Sequence, residues 1–252
     1  MAWITDKLSN VLIRFLSGKI KEYEPFSITS GEILRETLQP CDVLLVEGNQ
    51  RFSVAVKYLT QSTWSHAAMY VGDISEALNI KNKCHMLIEA DINKGVHALP
   101  LSFYESFNTR ICRPVGLYEK DRQHIIDYMI DSIGMGYDFK NVVDLARYLI
   151  PTPPVPTRWR RRMLSLGSGD PTRVICSTQI AKAFQSVKYP ILPHIEVTTD
   201  HSSASRYTME EILHIRHHSL FTPCDFDLSP YFKIIKPTIE KDFDYKQLSW
   251  NE

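Results

Sequence analysis

The chain has 252 residues, 29 Lys plus Arg balanced by 29 Asp plus Glu, and 44% hydrophobic against 23% charged residues. That length buries a full core as one large domain, and zero formal charge argues against a protein that works mainly by neutralising phosphates, so no nucleic-acid partner is expected. No apolar run approaches the ~18 residues of a membrane-spanning helix. The five cysteines, widely spaced and without a C-x-x-C pair, suit neither a disulfide framework nor a zinc ribbon. Reduced thiols, a cytoplasmic setting and no metal or organic cofactor are the expectation.

Residues 3–20 place Trp3, Ile4, Leu8, Val11, Leu12, Phe15 and Leu16 at helical spacing, which predicts an amphipathic helix. Polar and charged positions interrupt it, so it forms no signal-peptide core. It either packs on the domain or touches a membrane surface. Residues 1–30 are therefore expected to be this helix plus a connector, followed by one domain over 31–252.

From Asp42 the pattern becomes β: Asp42–Glu47 is short, apolar and β-branched, and Gly48-Asn49 closes it. A helix is expected over Phe52–Leu59. Strands are expected over Ser65–Gly72, 84–90, Gly95–Leu99 and Arg110–Val115, and helices over Ile125–Ile133 and Val142–Tyr148. Pro151–Pro156 excludes regular structure, and the stretch after it carries five arginines against one aspartate. Residues 151–173 thus read as a basic insertion, either a solvated loop or a patch for an anionic partner. Val174-Ile175 then leads into a second amphipathic helix with Ile180, Ala183, Phe184 and Val187 on one face. The layout is α+β, a mainly antiparallel sheet flanked by helices.

Chemistry concentrates at three places. Cys176 stands at the first turn of CSTQIAKAF, where unpaired N–H groups and the helix dipole favour a thiolate. The other cysteines read as small buried hydrophobes. His66 heads an alternating strand, with Ala68 and Tyr70 on its face. Glu89 sits amid apolar residues, where an unpaired carboxylate is costly. If the strands of His66 and Glu89 run antiparallel, the carboxylate faces the imidazole and orients it toward a thiol. Pairing of Glu89 with Arg110 is the structural alternative.

The runs CDVLLVEGN, KYLTQSTWSHAAMYVGD, LIEADINKGV and VICSTQIAKAF resemble the permuted papain-like cysteine amidases of the YiiX/YebB-like branch of the NlpC-type hydrolases. The resemblance spans roughly residues 40–190, with the order histidine, polar residue, cysteine. It implies a circularly permuted papain-like (NlpC-type) fold and a thiol hydrolase with nucleophile Cys176, general base Cys-activating His66 and orienting group Glu89. Gly134–Asp138 resembles a family G-x-x-Y-D stretch. Tyr137 is thus a candidate for substrate or oxyanion binding, as are Ser65 and Ser177 beside His66 and Cys176. The implied substrate is an amide of a small peptide or amino-acid conjugate. Two alternatives remain: lipid acyl chemistry at a membrane reached through residues 3–20 and Arg158–Arg162, and a non-catalytic interaction module. One departure from the family pattern is Pro40-Cys41-Asp42, where members have glycine at the middle position. Cysteine reaches positive φ less cheaply than glycine, which bears on the local turn and not on the triad, and Cys41 is a second thiol that could lie near the site.

Overall fold

A computed structural model describes residues 29–74, 85–91, 94–136, 176–199, 209–214 and 221–240, with isolated positions at 18, 24–25, 244 and 246. In chain order these form α1 (Gly31–Thr37), β1 (Val43–Val46), α2 (Arg51–Thr60), β2 (His66–Asp73), β3 (His85–Asp91) and β4 (Gly95–Pro100). A 3-10 turn (Leu101–Tyr104), β5 (Thr109–Pro114), α3 (Glu119–Asp131) and α4 (Cys176–Ser186) follow. The hairpin β6 (His194–Thr199) and β7 (Met209–His214) precedes α5 (Pro223–Leu228), β8 (Phe232–Ile235) and α6 (Pro237–Glu240). The expected helices at 3–20 and 142–148 and the basic segment 151–173 lie outside the described residues.

β1 to β5 and β8 make a six-stranded sheet in the order β4-β3-β2-β1-β5-β8, with every pair antiparallel. The fold is thus α+β with an antiparallel sheet, as the alternating segments indicated. β1 is central and buried along its whole length, which explains why Val43-Leu-Leu-Val46 is a continuous apolar run rather than an alternation. Its two faces feed separate cores. Val43 and Leu45 join Ala67, Met69 and Ile88 under Ile125 and Met129 of α3 and Ile180, Ala183 and Phe184 of α4. Leu44 and Val46 join Ala68, Tyr70 and Leu87 beneath Leu34 of α1 and Leu101 and Tyr104 of the 3-10 turn.

Two elements differ from the sequence reading in informative ways. α3 starts at Glu119 rather than near Ile125, because its first turn is acidic and exposed and favours a helix N-terminus without apolar periodicity. α5 arises in a segment that reads as turn-rich. Thr222 and Asp225 form a reciprocal capping box with Pro223 in the first turn, and Phe226 is fully buried against Phe232.

Cys41 adopts φ 73°, the left-handed conformation for which glycine would be the cheaper residue. The turn is held regardless. The Cys41 N–H donates to the Tyr70 carbonyl at 2.9 Å, and the Tyr70 N–H donates back to the Asp42 carbonyl at 2.9 Å. Arg113 grips the buried Asp42 carboxylate through Nε at 2.9 Å and through Nη2 at 2.7 Å. Cys41→Gly should therefore stay within about 1 kcal/mol of wild type, since relief of left-handed strain offsets the lost thiol packing. Cys41→Val, β-branched and oversized there, should cost more than about 2 kcal/mol. Urea denaturation of both variants measures this; equal losses would show that φ does not matter at this turn.

Candidate active site

His66 is the first residue of β2 and pairs with Val46 of β1. Met69 lies opposite Ile88, so the same register sets Glu89 across from Ala68 and diagonal to His66 on one face of the sheet. His66 Nε2 donates to Glu89 Oε2 at 2.8 Å. On the other side β4 places His97 directly opposite Glu89, with Nε2 3.5 Å from Oε1. The His97 ring is set by its Nδ1–H, which donates to the Gly95 carbonyl at 3.1 Å. Tyr104, from the 3-10 turn that follows β4, donates its hydroxyl to Glu89 Oε2. The alternative partner Arg110 is engaged elsewhere: it pairs with Asp227 at 2.8 Å and lies over the Trp64 ring.

The Glu89 side chain is 5% exposed and that of His66 20%. Burial by itself would raise the Glu89 carboxyl, but the His66 charge and the hydrogen bonds from His66 and Tyr104 outweigh it and hold the carboxyl below its ordinary value of 4.5. Burial would likewise depress His66. The negative charges of Glu89 and Cys176, with a hydrogen bond to each, carry it well above its ordinary 6.5. His66 therefore bridges the carboxylate and the thiol. With Nε2 committed to Glu89, Nδ1 is the ring nitrogen left for Cys176. The thiol reaches this point from the opposite layer, as the first, buried residue of α4.

Ser65 and Ser177 have their hydroxyls committed to the backbone. Ser65 Oγ accepts from the Gly48 N–H at 2.9 Å, and Ser177 Oγ donates to the Phe221 carbonyl at 2.7 Å. Tyr137 lies outside the described residues, as do Cys84 and the His217-His218 pair. Cys41 is not near the site. It sits at the Tyr70 end of the β1–β2 pair, away from the Val46–His66 end, and burial pushes its thiol up to about 12. Cys112 is also raised by burial. Among the described residues no group of three or more His, Cys, Asp or Glu has the geometry to hold a metal ion, and none of the helices is long and apolar enough to cross a membrane.

Neither Tyr104 nor His97 stands out as a site residue in the sequence. A signal for His97 exists: given the β3–β4 hairpin, it falls opposite Glu89 in register. Tyr104 had none, since a four-residue 3-10 turn leaves no periodic trace. Beside the array lies a cavity of about 580 Å³, lined by His66, Glu89 and His97 together with Phe52, Phe103 and Phe107.

An antiparallel sheet that aligns a histidine with a buried carboxylate, facing a cysteine at a helix start, is an arrangement suited to thiol chemistry, with the histidine ahead of the cysteine in the chain. Residues 37–148 match the family described as permuted papain-like amidase enzymes, YaeF/YiiX, C92 family. The matched span includes His66 and Glu89 and ends before Cys176. No curated protein matches the chain. Among solved structures, one described as the metalloprotein yiiX from Escherichia coli O157:H7 is similar at 16% identity and a TM-score of 0.49, covering 79% of this chain and 96% of its own.

The electrostatics give a prediction. Because the His66 value is raised, its contribution to stability is full below its unfolded value near 6.5 and is lost as pH rises through the folded value. Glu89 is lowered, so its contribution is present above about 4.5 and is lost as pH falls through the folded value. In Glu89→Gln the His66 ring should titrate at lower pH than in wild type, followed by ring nitrogen NMR. The stability gap between the two proteins should narrow below pH 4.5. An unmoved His66 titration would show that the carboxylate does not act on the ring.

Proposed function

We propose that the chain hydrolyses an amide bond in a small peptide or amino-acid conjugate, with Cys176 as nucleophile, His66 as acid and base, and Glu89 as the group that orients His66. The observation that carries this reading is the position of His66 between the Glu89 carboxylate and the Cys176 thiol. The Cys176 thiolate attacks the acyl carbon, and the oxyanion is held by backbone N–H groups at the start of α4. His66 passes its proton to the departing amine, which leaves a thioester at Cys176. Water, deprotonated by His66, then attacks the thioester and frees the acid and the thiol. Tyr137 and the backbone at Ser65 and Ser177 are candidates for contact with the substrate around this centre.

The aromatic wall of the cavity favours a second reading of the acyl group. Phe103 is 58% exposed beside Phe52 and Phe107, a surface suited to an apolar chain, and ester or amide bonds of lipids carry one. The two readings share the nucleophile and differ in substrate.

Alkylation tests the nucleophile. At pH 6 iodoacetamide should modify Cys176 at least about tenfold faster than Cys41, Cys112 or Cys224, and His66→Ala should remove the advantage. Aminoacyl p-nitroanilides and a medium-chain p-nitrophenyl ester then separate the substrates. Intact-mass analysis should show an acyl-enzyme that Cys176→Ala cannot form. A Cys176 no more reactive than the three buried thiols would sink the proposal.

A further inference from the structure

We infer that Tyr104 is a positioning residue for this reaction: its hydroxyl holds the Glu89 carboxylate in the orientation His66 requires. The inference rests on the assignment of Cys176, His66 and Glu89 proposed above. Tyr104 and His66 converge on the same oxygen, Oε2, so the two donors together fix the plane of the carboxylate about its last side-chain bond. The other oxygen has only the longer contact with His97, at 3.5 Å. Without the tyrosyl donor, the direction of Oε2 depends on the very ring it is meant to orient.

The tyrosine is itself tightly placed. It is 5% exposed, and its ring meets Phe103 edge-on at 5.1 Å and Phe107 at 5.4 Å. Leu101, at the start of the same turn, is buried in the core beneath the sheet. The turn directly follows β4, so the hairpin that sets His97 opposite Glu89 also delivers Tyr104. Burial and the negative charge of Glu89 keep the Tyr104 hydroxyl protonated far beyond its ordinary range, which makes it a permanent donor rather than a second base.

The groups facing Glu89 are His66 from β2, His97 from β4 and Tyr104 from the turn, while Asp91 on β3 and Cys176 on α4 place negative charge nearby. Removing the Tyr104 donor destabilises the ionised carboxylate, so Glu89 then titrates at higher pH. His66 loses its charged partner at a pH where wild type retains it, and the acid limb of Cys176 reactivity moves upward.

The experiment compares wild type, Tyr104→Phe, Glu89→Gln and the double variant, using protein labelled with 13C-glutamate. Phenylalanine keeps the ring packing and removes only the hydroxyl. The expected result is an upward shift of the Glu89 carboxyl titration in Tyr104→Phe. Cys176 alkylation near pH 5 should be about tenfold slower, the fold-change typical of a charge-assisted hydrogen bond. In the Glu89→Gln background Tyr104→Phe should have no further effect, because the tyrosine acts through the carboxylate. An unmoved Glu89 titration, or an equal loss in both backgrounds, overturns the proposal. If Tyr104→Phe fails to fold, 3-fluorotyrosine at position 104 keeps ring and hydroxyl and strengthens the donor; Glu89 should then titrate lower, and no change overturns the proposal. A wild-type Cys176 that reacts slowly would remove the catalytic reading, and the carboxyl titration would still decide whether Tyr104 holds Glu89.

Discussion

A carboxylate nearly out of water in the middle of an apolar strand costs several kcal/mol unless its oxygens find donors. Glu89 is such a group, and the arrangement around it follows from that constraint. β2 supplies His66, β4 supplies His97, and the turn after β4 supplies Tyr104. Each comes from an element adjacent in the sheet or continuous with it, so the antiparallel order β4-β3-β2 is what satisfies the charge. The same donors that make the carboxylate tolerable also leave it ionised, and an ionised Glu89 is what holds a positive charge on His66.

The thiol enters from a different layer. α4 packs its Ile180, Ala183 and Phe184 on the face of the sheet that carries Ala67, Met69 and Ile88, whereas Glu89 and Tyr104 belong to the other side, with Leu87 and Leu99. His66, at the very start of β2, sits where the two sides meet and touches groups from both. A strand interior would not allow this, since neighbouring side chains block the approach of a helix start. The hydrophobic contacts of α4 therefore decide how close Cys176 comes to the imidazole, and loosening that packing weakens the pair without touching either residue.

The anchoring at the far end of β1 follows a different logic. Cys41 accepts a left-handed backbone because the β1–β2 hydrogen bonds and the Arg113–Asp42 pair over-determine the turn. Its thiol is buried and hard to ionise, as is that of Cys112. The chemical difference between these thiols and Cys176 is one of surroundings, a histidine partner and a helix start against an apolar core.

Local pattern was enough to recover β1 to β5, α2 and α4, because alternation, apolar runs and bounding Gly and Asn residues are properties of neighbouring residues. It also singled out His66, Glu89 and Cys176, each chemically out of place in its own segment: a histidine heading an apolar strand, a carboxylate within one, a thiol at a helix start. The T-x-x-D spacing at Thr222–Asp225 is a local signal of the same kind, marking the start of α5. What the chain order leaves open is partnership. Whether Glu89 meets Arg110 or His66 depends on strand register, and the structure gives Arg110 to Asp227. Tyr104 joins the site because a four-residue turn folds back over β3, and no periodicity marks such a turn. Residue type and spacing determine which side chains are capable of the chemistry. Only the packing of sheet, turn and helix decides which of them share a proton, because hydrogen bonds act over about 3 Å while these residues lie tens of positions apart in the chain.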